Sequence, residues 1–247
     1  KRIYKDKIEA LWGAMRYLER SNEEYVVLSD SNIICSLNYK DVLDRHIETN
    51  ADITVVTKRE HITDRLDTKG LVIKTDKNGV VIDVLVNYNI PGVVKCGMGM
   101  YLMKRELLIS LLNEANSYNL TDFDREIIQN KYQSMKIVDW EFEDTILRID
   151  SVQRYFEANM ALLSEEVRDE IFNKHGYVYT KVRDEVPTHY GESCTVSNSL
   201  VADGCHIDGE VENSILFRGV RVAKGAKVSN CILMQDTQIG KNVELDY

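Results

Sequence analysis

The polar side chains that could carry chemistry in this chain are few and scattered. The first group is a triplet, Asp30-Ser31-Asn32, directly after a β-branched apolar run. A carboxylate, a hydroxyl and a carboxamide at a strand end can make a working polar loop, although such triplets more often form a turn that caps the following helix. Arg218 and Arg221 lie three residues apart beside Gly219. They could hold an anionic effector, and a solvated face is the commoner outcome. Met98, Met100 and Met103 read as core filler rather than as a ligand site. The five cysteines (Cys35, Cys96, Cys194, Cys205, Cys231) are odd in number, dispersed and without a CxxC pair. Neither a zinc site nor a disulfide framework is expected, and reduced thiols in a cytoplasm are the natural reading.

Composition narrows the classes further. The chain has 247 residues, 44% hydrophobic and 29% charged, with a net charge of −9, as in ordinary globular proteins. Nucleic-acid binding needs concentrated Lys and Arg to displace counterions, so no nucleic-acid partner is expected. A local cluster could still hold a phosphorylated small molecule. No apolar stretch approaches the roughly 20 residues of a membrane span, so no membrane partner is expected. The chain opens on Lys1, already in a helical pattern, and closes inside a repeat. Both ends are expected to be truncated.

These side chains need elements to hold them. Ile8, Leu11, Trp12, Met15 and Leu18 recur at helical spacing and predict one buried face. Tyr25 to Ser29 predicts a buried strand, Val42, Leu43 and Ile47 a helix, and Ile53 to Thr57 a second strand. Leu71 to Thr75, the turn at Asp76 to Gly79, and Val80 to Val86 predict a hairpin. A strand over Met98 to Met103, helices over Glu106 to Ala115 and Asp122 to Tyr132, and a strand over Met135 to Trp140 follow. Such alternation predicts an α/β domain, a sheet covered by helices.

From Cys194 the pattern changes. VSNSLV (Val196 to Val201) recurs as VENSIL (Val211 to Leu216) and as VSNCIL (Val228 to Leu233), with Gly-containing polar stretches between. Apolar residues fall six apart, as at Val201 and Ile207 or Val222 and Val228. Hexads with small corner residues predict a left-handed parallel β-helix. Asn at a fixed corner tolerates left-handed backbone and can stack on its equivalents. Such coils bury apolar side chains only against neighbours, so self-association is expected. The organisation read from the sequence is an α/β domain over 1–163, a connector over 164–192 with an acidic helix from Ser164 to Glu170, and the β-helix over 193–247.

Several segments resemble the glucose-1-phosphate adenylyltransferase (ADP-glucose pyrophosphorylase) family. YVVLSDSNII (Tyr25 to Ile34) sits where that family has a strand and a Gly-Asp-His loop. CGMGMYLMKRELL (Cys96 to Leu108) is similar to its Ala-Ser-Met-Gly-Ile-Tyr strand, and Thr121-Asp122-Phe123 to its His-Asp-Phe-Gly segment. YFEANMALL (Tyr155 to Leu163) resembles the helix closing its catalytic domain, and SILFRGVRV (Ser214 to Val222) its first β-helix coils. The resemblance implies a nucleotidyltransferase domain followed by a hexapeptide β-helix. It also implies chemistry that joins a sugar phosphate to a nucleoside triphosphate, with Mg²⁺ screening the phosphates.

Measured against that family, the chain departs at its working positions. The Gly-rich nucleotide loop is absent from these residues. The first metal carboxylate falls on Ser31, with Asp30 one position earlier; the second falls on Arg148, with Asp150 two residues on. The phosphate lysine of Glu-Lys-Pro falls on Asn87, within Val86-Asn87-Tyr88, and an amide cannot replace an ammonium's charge-assisted contact. Asp6-Lys7-Ile8-Glu9 stands where the family's Gly-Thr-Ala-Asp touches nucleotide, and Gly97 replaces a serine. The resemblance therefore implies a vestigial pocket of Asp30, Ser31, Asn32, Asn87, Gly97, Met98, Gly99, Arg148 and Asp150, with no catalytic and no metal-binding residue of its own. It implies the D-type partner subunit of bacterial glycogen synthesis: a regulatory chain in a tetramer-type hetro-oligomer whose active subunit carries the Mg²⁺. Two other readings stay open. One is an active nucleotidyltransferase using Asp30 and Asp150 as displaced metal ligands. The other is an acyltransferase of the hexapeptide-repeat kind with His206 as base.

Overall fold

A computed structural model describes residues 4, 6–62, 70–87, 91–181 and 184–247. Two compact units emerge. The first comprises Lys1–Ser31 and Asn38–Glu143, the second Asn32–Leu37 and Asp144–Tyr247.

In the first unit, α1 (Lys7–Gly13) and α2 (Met15–Arg20) are separated at Ala14 rather than forming one helix. Ile8, Met15 and Leu18 are buried as their spacing predicts, but Trp12, in the last turn of α1 before the break, is exposed. Strand β1 (Tyr25–Ser29) has the expected bounds. It is not buried throughout: it pairs along one side only, and Val27 faces out. Helix α3 (Tyr39–Thr49) buries Val42 and His46 while Ile47 is exposed, so the inward face is rotated from the apolar pattern. The His46 imidazole and the Thr54 hydroxyl share a hydrogen bond of 2.8 Å, which makes that inward position tolerable for a polar ring.

Strands β2 (Ile53–Ile62), β3 (Leu71–Thr75), β4 (Val81–Val86), β5 (Gly92–Lys104) and β6 (Ile137–Glu141) complete a mixed sheet in the order β4-β3-β5-β2-β6. β1 also pairs antiparallel with β5, Ser29 opposite Met100. The hairpin turn is the one predicted, with Gly79 at φ +81°. Helix α4 (Arg105–Ser117) follows β5 directly. The helical stretch predicted over 122–132 is a π-type helix, Phe123–Gln129, capped by Asp122, whose carboxylate accepts from the backbone N–H groups of Asp124 and Arg125. Met98, Met100 and Met103 are buried, as filler residues should be. The Asp30-Ser31-Asn32 triplet does form a turn, but the short strand Ile33–Ile34 follows it. The helix cap belongs to Asn38, which accepts from the Lys40 N–H.

In the second unit, Ile33–Ile34 pairs antiparallel with Leu147–Arg148, and α5 (Val152–Ala161) and α6 (Glu165–Phe172) pack around Leu147, Ala158 and Ile171. The repeats form a parallel β-helix with three sheet faces. Val196 pairs with Val211 and Val211 with Val228, so successive coils advance 15 and 17 residues. Ile207, Val211, Leu216, Val220, Val222 and Val228 fill the interior. Asn198, Asn213 and Asn230 occupy one corner at φ +40°, +45° and +53°. The Asn198 Nδ2 group donates to Asn213 Oδ1 at 2.6 Å, and Asn230 Nδ2 to Asp246 Oδ1 at 2.9 Å. The five cysteines are free. Among the described residues no helix is long and apolar enough to cross a membrane.

Asn213→Ala should lower stability by about 2 kcal/mol, combining the left-handed backbone penalty with a lost hydrogen bond. Asn213→Gly, which keeps the backbone free, should recover about half. Urea unfolding of the three proteins at one pH measures this, and equal midpoints for alanine and glycine would contradict the corner's role.

Candidate functional site

The sheet brings Asp30 and Gly99 together. β1 ends at Ser29, and the Asp30 N–H donates to the Gly99 carbonyl at 3.2 Å. Gly99 has φ +65°, and a β-carbon there would lie 2.1 Å from Asp30 Oδ2. The glycine thus clears the space into which the carboxylate folds. There Asp30 meets Lys7, the first residue of α1: Lys7 Nζ lies 3.0 Å from Oδ1 and 3.1 Å from Oδ2. The same ammonium is 4.0 Å from Asp124 Oδ1, and it sits 5.1 Å from the Tyr101 ring centre and 5.8 Å from that of Phe123. The Tyr101 hydroxyl donates to Asp124. Burial raises the Asp124 carboxyl above its usual range, opposed by Lys7 and by the Tyr101 hydrogen bond. Burial, with the Asp124 charge beside it, raises the Tyr101 phenol well above its ordinary value.

The other predicted site residues lie apart from this cluster or in the second unit. Ser31 is exposed. Asn87 ends the hairpin at φ +55°, exposed, and its neighbour Tyr88 lies outside the described residues. Gly97 is buried, and a β-carbon there would press on the Leu71 side chain at 3.0 Å. Met98 is wholly buried in the sheet. In the second unit, Arg148 stands opposite Ile33, and the Asn32 carbonyl accepts from the Ile149 N–H at 2.7 Å. Asn32 Oδ1 is buried without a hydrogen-bond partner. Asp150 is exposed, just before the Ser151 cap of α5. On the β-helix, His206 is exposed and tilted against His189 on the next coil, with ring centres 5.5 Å apart. Arg221 is exposed in the same ladder, whereas Arg218 is half-buried with its Nε unpaired, so only the first has a solvated face.

Sequence reasoning missed Lys7, Tyr101 and Asp124 as a group. A signal was present in the motif comparison. Lys7 replaces a threonine and Asp30 a glycine, and two opposite charges appearing together at one pocket point to a pair.

Within the first unit, the residues present do not fit a divalent metal. Mg²⁺ requires several oxygens in near-octahedral array at about 2.0–2.1 Å. In the first unit the carboxylate at the strand end already has both oxygens on an ammonium. Among the described residues, no group of three or more His, Cys, Asp or Glu side chains converges as an all-protein metal site would.

The mixed sheet with its covering helices and the hexad-built coils agree with what family comparison finds. Residues 3–165 match the nucleotidyl transferase family, and residues 184–247 match the GlmU-like C-terminal hexapeptide family. The chain belongs to the nucleotidyl transferase family. It is similar to the glycogen biosynthesis protein GlgD of Bacillus subtilis, 34% identical across 86% of this chain and 51% of that protein. It is also similar to the glucose-1-phosphate adenylyltransferase of Acetivibrio thermocellus, 28% identical across 98% of this chain and 57% of the relative. The Bacillus mycoides enzyme of the same name is 27% identical across 98% and 65%. The chain thus spans between half and two thirds of the length of the curated relatives it matches.

Gly99→Ala should destabilise the protein by at least about 2 kcal/mol, through the positive φ and the collision with Asp30. Asp30→Gly should cost at least about 1 kcal/mol less in the Gly99→Ala background than in the wild type, because relief of the collision offsets the loss of the Lys7 partner. A double-mutant cycle by urea unfolding reads the coupling, and additive effects would refute the packing described.

Proposed function

We propose that this chain is part of a regulatory, catalytically impaired subunit of glucose-1-phosphate adenylyltransferase, acting beside an active subunit in the cytoplasm during bacterial glycogen synthesis. The observation that carries the reading is the engagement by Lys7 of Asp30, the carboxylate next to Ser31, which stands where the resemblance would require a metal-binding aspartate. Arg148 at the second carboxylate position adds a cation that would repel a metal. Asn87, in place of the phosphate lysine, removes a third contact. Loss of one preorganised electrostatic contact typically lowers turnover by about 10²–10³, and here three are changed. The similarity to GlgD and to the adenylyltransferases supports the pathway assignment. In this reading the active subunit holds the Mg²⁺, this chain needs no cofactor, and the two assemble in a tetramer-type oligomer. The alternative with Asp30 as a metal ligand requires Lys7 to leave its carboxylate.

The full-length protein, purified alone and then mixed with the active adenylyltransferase of the same cell, tests this. Alone, it should release pyrophosphate at least about 10²-fold more slowly than the active subunit; mixed, it should change the partner's activation or assembly. Turnover by the lone protein that Asp150→Asn abolishes would establish the catalytic alternative. An unchanged partner would remove the regulatory role.

A further inference from the structure

The Lys7 side chain does more than decorate a helix end. A cation in the first turn of a helix opposes the helix dipole, so its placement there depends on the groups it meets. Those groups converge from three other segments: Asp30 after β1, Asp124 at the start of the π-type helix, and the Tyr101 and Phe123 rings. Two carboxylates face one ammonium, and two aromatic faces stand within about 6 Å, the range of cation–π attraction. Only 21% of the Lys7 side chain is exposed. Carboxylates on one side and aromatic rings on the other make a surround suited to an ammonium, here one covalently attached to the chain.

We infer that Lys7 is the resident cation of the Asp30–Asp124 pocket, a tethered ammonium that occupies the carboxylate seat and excludes a divalent ion from it. Two physical facts support the exclusion. An ammonium at hydrogen-bond distance from both Asp30 oxygens engages a lone pair on each and stands close to where a metal bond of about 2.0–2.1 Å would form, and its charge repels a dication approaching the same oxygens. Tethering adds to this, since even a flexible linkage holds a group at an effective concentration on the order of millimolar. Lys7 is carried on an ordered helix whose cap, Asp6, is its immediate neighbour. The seat is therefore filled before any ion arrives, and emptying it requires Lys7 to withdraw.

The inference deepens the proposed regulatory reading at one pocket, and its test uses ion binding rather than ADP-glucose synthesis, so each can fail alone. Mn²⁺ is titrated into the full-length protein, with free Mn²⁺ followed by electron paramagnetic resonance and folding by thermal melting. The wild type and Asp30→Asn should bind Mn²⁺ equally, and Asp30→Asn should melt at a lower temperature because Lys7 has lost its partner. Lys7→Met should gain a site at least ten-fold tighter than anything in the wild type, and Lys7→Met combined with Asp30→Asn should lose it. A wild-type Mn²⁺ site abolished by Asp30→Asn would overturn the inference, as would a folded Lys7→Met protein without the gain. If Lys7→Met does not fold, the comparison of wild type with Asp30→Asn decides alone: unequal Mn²⁺ binding, or an unchanged melting temperature, overturns it.

Discussion

The first unit is organised by the need of one long strand to satisfy its backbone on both sides. β5 runs for thirteen residues, Gly92–Lys104. Its length along one edge is taken by β2, while the other edge is divided between β3 near Lys95–Cys96 and β1 near Met100–Lys104. Buried backbone donors and acceptors are seldom left unpaired. The handover from β3 to β1 therefore fixes where each partner must stop. Gly99 lies at that handover with φ +65°, and there the Asp30 carboxylate finds room. The candidate site is thus a consequence of how the sheet's edge is shared.

The second unit solves a different problem. A coil of short strands cannot bury its apolar residues alone, so each coil supplies the missing wall of the next. Ser214 shows how polar groups are admitted to such an interior. Its hydroxyl, fully buried, donates to the Glu212 carbonyl and accepts from the Cys231 N–H at 3.0 Å. It links one coil to the next without leaving a polar atom unpaired.

Most of the architecture was legible because it rests on periodicity. The repeated VxN segments announce the β-helix, and the strand at Tyr25–Ser29 has the bounds its β-branched run suggests. Legibility fails where the deciding contact is distant in sequence. Ile47 reads as a core residue beside His46, yet the histidine faces inward because Thr54 offers it a hydrogen bond. Trp12 continues a helical stripe that a break at Ala14 interrupts. At the site, the triplet Asp30-Ser31-Asn32 was visible, but its partner Lys7 is 23 residues away and belongs to a helix with its own apolar logic. An ion pair of this kind leaves no periodic trace.

The asparagine corner also bears on how this protein ages. An asparagine followed by a small residue is prone to lose its amide nitrogen when the next backbone nitrogen attacks the side-chain carbonyl. Asn213 is followed by Ser214 and Asn230 by Cys231. The Ser214 N–H is committed to the Ser199 hydroxyl and the Cys231 N–H to the Ser214 hydroxyl. With each of these two nucleophiles held as a donor and each carboxamide fixed in a left-handed turn, the corner geometry also shields Asn213 and Asn230 from deamidation.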